Sequence, residues 1–74
     1  MRVINLDDTG IKIITANREQ LYLSKAQARD FLAKKLFLNE NQLKAGNQIV
    51  TLSESDMEEL DSTYDYVEKI LNKG

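Results

Sequence analysis

The chain has 74 residues, 42% hydrophobic and 30% charged, with a net charge of −2 and neither cysteine nor histidine. That fits one small globular domain near the lower size limit for a self-sufficient core. It excludes disulfides, thiolate or imidazole metal ligation, and catalysis by Cys or His. No apolar run approaches the roughly 20 residues of a membrane span, so no membrane association is expected. Arg2 followed by Asp7 and Asp8, with no apolar stretch between them, does not make a signal peptide. A chain without cysteine fits a reducing compartment, and the cytoplasm is the expected location.

Arg2-Val3-Ile4-Asn5-Leu6 alternates, and the pattern is read with Ile4 and Leu6 on the inner side. Asp7-Asp8-Thr9-Gly10 has the side-chain acceptors and the glycine of a turn. Ile11, Ile13 and Thr15 then alternate on one face, which predicts a β-hairpin. Asn17-Arg18 turns the chain into a third strand over 19–23, with Leu21 and Leu23 inward. Ser24 with Gln27 three residues on predicts a capping box opening helix one, over 25–36, with Ala28, Phe31, Leu32 and Leu36 as its apolar stripe. The segment 39–45, between Asn39 and Gly46, is read as one or two helical turns. A strand over 48–52 follows, with Val50 and Leu52 inward. Helix two, opened by Ser53 with Asp56 or Ser55 with Glu58, is predicted to about residue 72, with Met57, Leu60, Tyr64, Val67 and Leu71 as its stripe.

A strand-serine-helix pattern therefore occurs twice, 29 positions apart: Leu21-Tyr22-Leu23-Ser24 and Val50-Thr51-Leu52-Ser53. Identity between the copies is slight, and the pattern reads as reuse of a common capped junction. The order β-β-β-α-β-α predicts an α+β fold of two layers: a small, mostly antiparallel sheet with both helices on one face. No proline and no Gly- or Ser-rich linker divides the chain, so residues 1–74 are read as a single domain.

Little here points to chemistry. Asp8-Thr9-Gly10 is the triplet of aspartic proteases, but it lies where a hairpin turn is needed and follows a charged Asp7. Asp7 and Asp8 lack the surrounding alternating acids of a cation loop. The three glycines at 10, 46 and 74 make no phosphate loop. The serines have no histidine base. No enzyme, cofactor or metal is expected.

Three surfaces remain. Residues 1–53 carry a net +3 and residues 54–74 a net −5, so helix two has an acidic face. On it Tyr66 falls about half a turn from Met57 and Tyr64, ringed by Glu58, Glu59, Ser62 and Asp65 as a candidate site for a protein partner. Val3, Ile14, Tyr22 and Ile49 are assigned to the second face of the sheet as a candidate self-association surface giving a homodimer. Lys25 and Arg29 oppose the dipole of helix one and, with Lys34 and Lys35, form an alternative nucleic-acid contact. A helix-turn-helix over helix one and 39–45 is a weaker form of that alternative, because the chain as a whole is acidic. The expectation is a small non-enzymatic interaction or regulatory protein, of the kind that phages and mobile elements use as accessory factors, with a protein partner, itself, or both.

Overall fold

Alternating apolar residues build the first layer. The computed structural model describes residues 1–73, in which β1 (Arg2–Asn5), β2 (Ile11–Ile14) and β3 (Gln20–Leu23) form an antiparallel sheet in the order β1-β2-β3. A single 3₁₀ turn over Asp7–Thr9 joins the first two strands. Ile11↔Leu23 and Ile13↔Leu21 are paired and fully buried on the inner face. Helix α1 (Lys25–Leu32) follows, then β4 (Phe37–Asn39), β5 (Gln42–Ala45) and β6 (Gln48–Thr51) as a second antiparallel sheet, and helices α2 (Glu54–Glu58) and α3 (Leu60–Asn72). The fold is α+β. Its core is continuous: Leu43, Ala45, Val50 and Leu52 of the second half pack with Ile11, Ile13, Leu21, Leu23, Ala28, Phe31 and Val67.

The strands make two small sheets where one was expected, for a visible reason. β3 and β6 lie side by side, but the Gln48 side chain occupies the Tyr22 peptide, accepting from its N–H and donating to its carbonyl, both at 2.8 Å. The Glu19 carboxylate likewise accepts from Thr51 N–H at 3.1 Å. Side chains stitch this seam in place of a backbone ladder, so the unpaired edges are β1 of the first sheet and β4 of the second.

Segment 39–45 is also corrected, from helical turns to strands. Asn39 Oδ1 accepts from Asn41 N–H at 3.1 Å, a local turn of the Asx type and no helix cap. Leu43 and Ala45 are both buried, a period of two. Gly46, at φ +62°, does not close a helix but opens the two-residue turn between Ala45 and Gln48. This removes the helix-turn-helix reading. Helix one stops at Leu32, short of residue 36. Lys34 takes φ +62°, and Lys35 N–H and Lys34 N–H bond the carbonyls of Asp30 and Phe31, the Schellman closure with lysine where glycine is usual. The chain thereby leaves the helix, and Phe37 opens β4 of the second sheet.

Both serine caps form in full. Ser24 Oγ accepts from Gln27 N–H while Gln27 Oε1 accepts from Ser24 N–H. Ser53 and Asp56 reciprocate in the same way. The repetition goes further than the junctions, since each is now preceded by a three-stranded meander. Ser24→Ala is expected to lower stability by about 1 kcal/mol. Ser53→Ala should cost more, because its hydroxyl also donates to Asp56 at 3.1 Å; thermal melts of the two variants compare them directly.

Candidate functional site

The longest helix places the acidic-face residues. Helix two is divided at Glu59, whose backbone (φ −91°, ψ 0°) accepts from both the N–H and the hydroxyl of Thr63. Val67 and Thr63 are the buried residues of α3, with Leu60, Tyr64, Ile70 and Leu71 half-buried beside them. In α2 the buried residue is Asp56, and Met57, expected in the core, is turned out to solvent. One residue is about 100° of helix, so drawing Asp56 inward carries Met57 out.

The burial of Asp56 was not anticipated, and among the described residues its side chain makes the most polar contacts. Its carboxylate is 0% exposed. It accepts from Ala16 N–H at 3.0 and 3.1 Å, from Ser53 N–H at 3.0 Å and from Ser53 Oγ, and it lies 3.4 Å from the Met1 amino group. Burial pushes this carboxyl up, but the hydrogen bonds from Ser53, Ala16 and the amine outweigh it and hold the carboxyl below its ordinary range. The Met1 amine is held above its ordinary value, chiefly by its 2.9 Å bond to Glu59 and against the opposing effect of burial. The group is a structural clamp that joins the start of β1, the β2–β3 turn and the start of α2. The only sequence signal for it was its capping-box position.

Beside this clamp α3 packs against β1, and a cleft opens between them. Met1, Arg2 and Val3 line its upper part with Glu59, Ser62 and Tyr66. Asn5 lines its lower part with Tyr66, Lys69, Ile70 and Lys73. Tyr66 borders both parts and is 51% exposed. The β1 register opens hydrogen-bonding groups beneath it. Arg2↔Ile14 and Ile4↔Lys12 continue to Leu6 N–H on Gly10 O, so Arg2, Ile4 and Leu6 face β2. Strand alternation then turns the N–H and C=O of Val3 and Asn5 to the free edge. Of the acidic-face residues, Glu59, Ser62 and Tyr66 are brought together at this cleft. Glu58, on α2, and Asp65 are exposed but do not line it.

The proposed self-association set is not on one surface. Val3 pairs with Ile13 and packs against the core, so it belongs to the inner face. Ile4 pairs with Lys12 and takes its place outside, with Ile14 and Tyr22. A one-residue difference in register exchanges the two faces of a strand, and Val3-Ile4 reads equally well either way. Ile49 lies on the second sheet, paired with Lys44. Tyr22 and Ile49 are each 49% exposed, but the Lys12 ammonium lies 5.5 Å from the centre of the Tyr22 ring.

The basic set is divided as well. Lys25 and Arg29 lie a turn apart on α1, and Lys25 borders Asp7 and Asp8. Lys34 and Lys35 belong to the closure of the helix, and the Lys34 ammonium is 5.8 Å from the Tyr64 ring centre. Asp8-Thr9-Gly10 is the 3₁₀ turn and its exit, with Thr9 Oγ1 donating to Leu6 O. Among the described residues no group of three or more acids, His or Cys could hold a metal, and no helix is long and apolar enough to cross a membrane.

No family model, curated protein or solved structure matches the chain.

Proposed function

We propose that this chain is a small non-enzymatic interaction protein, with a regulatory or accessory role, whose binding surface is the cleft between β1 and α3. The observation that carries this reading is the position of Tyr66. A half-exposed tyrosine borders a cleft lined by Val3 and Asn5, the two residues of β1 whose peptide groups face its free edge. An extended segment of a partner can add to such an edge through main-chain bonds while its side chains are read by the flanking helix. Tyrosine supplies contact area with little entropy to lose, and is enriched at binding hot spots. Glu59 is already paired with the Met1 amine at 2.9 Å, which leaves Arg2 at one end of the cleft and Lys69 and Lys73 at the other as cations for a partner's acidic groups.

Two tyrosines two residues apart separate binding from folding. The Tyr64 ring packs 5.0 Å from Phe31, centre to centre, and burial raises its phenol above the ordinary range, with Asp61 adding to the effect. Tyr64→Ala is expected to lose about 3 kcal/mol or more of stability. Tyr66→Ala should leave the melting temperature nearly unchanged and weaken binding by about 2 kcal/mol. The test selects displayed random peptides on the wild type and measures each against Tyr66→Ala. Peptides that bind both proteins equally would place the binding surface elsewhere.

A further inference from the structure

The six strands contain no acidic residue. All twelve acids of the chain lie in the helices, their caps or the turns, while the strands hold three cations, Arg2, Lys12 and Lys44. Register turns these three outward, because each is next in sequence to a residue packed in the core. The outer faces of the two sheets adjoin where the Gln48 side chain bonds the Tyr22 peptide. One row therefore crosses both: Ile4↔Lys12 and Lys12↔Tyr22 in the first sheet, then Ile49↔Lys44 in the second. Tyr22 and Ile49, each half-exposed, stand at its middle with a lysine on either side. The Tyr22 hydroxyl donates to Gln20 Oε1 at 3.2 Å, which lays the ring along β3 on this face. Among the described residues the only ion pairs are those of the Met1 amine, so the three cations of the strands are uncompensated.

We infer that this outer face binds single-stranded nucleic acid, with a base stacked on Tyr22 and backbone phosphates at Lys12 and Lys44. Arg2 extends the cationic track to the β1 edge. An acidic protein would need only the charges, whereas an exposed aromatic ring between two cations matches a polyanion that carries a flat base beside each phosphate. The Lys12 ammonium, 5.5 Å from the centre of the Tyr22 ring, is near enough for the two to serve one nucleotide. A sheet face with no projecting element has nothing to enter the groove of a duplex. The acidic net charge does not oppose this strongly. Most of the acids belong to α2 and α3, and α3 packs on the inner side of the strands through Val67. Salt confines their field to about 8 Å at physiological ionic strength. Three phosphate contacts make the association weak and indifferent to sequence. Apart from Arg2 this surface is separate from the β1–α3 cleft, and the inference does not rest on that reading.

The test is fluorescence anisotropy of a labelled oligo-dT of about 12 nucleotides titrated with the whole chain, between about 50 and 200 mM salt. Wild type should bind in the micromolar range, with log K falling against log salt at a slope of about −2, as three phosphate contacts to a single strand require. Tyr22→Ala should weaken binding about tenfold through the lost stacking. Lys44→Gln should weaken it as well and make the salt slope shallower by about 0.7. Both side chains are exposed, so thermal melts of the two variants should match wild type. Tyr66→Ala and Lys25→Gln, at the cleft and on α1, should bind as wild type does. Absence of binding at about 100 micromolar protein in the lowest salt overturns the proposal. So does a Tyr22→Ala protein of unchanged affinity. Polyglutamate, or a duplex of the same length, bound as tightly as the single strand would reduce the face to a cationic patch and overturn it too.

Discussion

Asp56→Ala is expected to unfold much of the population at room temperature. The carboxylate is fully buried, and its removal leaves the N–H groups of Ala16 and Ser53 without their acceptor and takes one of two carboxylates from the Met1 amine. Breaking one side of a buried, hydrogen-bonded charge pair costs about 3–5 kcal/mol, and leaving donors without acceptors is the larger part of that cost. A 74-residue domain has few kilocalories to spare. Asp56→Asn should do less damage. Its carbonyl oxygen can still accept from Ala16, although its amide then presents hydrogens to the Ser53 donors. Urea titrations of the two variants give the comparison, and an Asp56→Ala protein as stable as wild type would mean that the clamp holds nothing.

The same cluster sets a pH dependence with two arms. The Asp56 carboxyl is held below its unfolded value, so its contribution is complete above about pH 4 and is lost as pH falls through the lower, folded value. The Met1 amine is held above its ordinary value of 8.0, so its contribution is complete below that pH and is lost as pH rises through the higher, folded value. Stability should be level between about pH 5 and 7 and fall on both sides. In Asp56→Asn the acid arm due to this carboxyl should vanish, and the alkaline arm should shrink but persist, because Glu59 still holds the amine.

What was legible in the sequence follows from how each signal is encoded. Ser24-Gln27 encodes its cap in neighbouring residues and forms as read, and of the two readings for helix two Ser53 with Asp56 is the one that forms. Leu21, Leu23, Val50 and Leu52 alternate without ambiguity and are buried. Val3 and Ile4 are adjacent apolar residues, so only the pairing with β2, a tertiary fact, decides which of them faces inward. For segment 39–45, Asn39 and Gly46 suit a helix or two turns equally well. The deciding pattern was the alternation of Leu43 with Ala45, too short to stand out against those flanking signals. Asp56 could be seen as a cap, but its burial depends on Ala16, 40 positions away, and no local pattern encodes that contact. Tyr66 was visible from helical spacing alone. Its neighbours at the cleft were not, because Met1, Val3 and Asn5 come from the other end of the chain.

Gly10→Ala is expected to be as damaging as loss of Asp56, by a wholly different cause. Gly10 is buried where the 3₁₀ turn enters β2, with φ +120°, a conformation that L side chains rarely adopt. A methyl group there would collide with the backbone carbonyl oxygen of Leu23 and stand 3.0 Å from the carbonyl carbons of Leu23 and Ser24. Those atoms cannot swing aside as a flexible side chain can, since Leu23 lies in β3 paired to Ile11 and Ser24 caps α1. Backbone strain and overpacking together should cost about 3–5 kcal/mol. Gly46→Ala is the matched control. It shares positive φ, at +62°, but has nothing within 4 Å of the new methyl group, so it should lose only the 1–2 kcal/mol or so of a left-handed L residue. Thermal melts of the two variants, made side by side, distinguish strain alone from strain with collision. Equal losses would mean that β3 and the α1 cap yield easily, and that the close approach at Gly10 does not hold the turn against them.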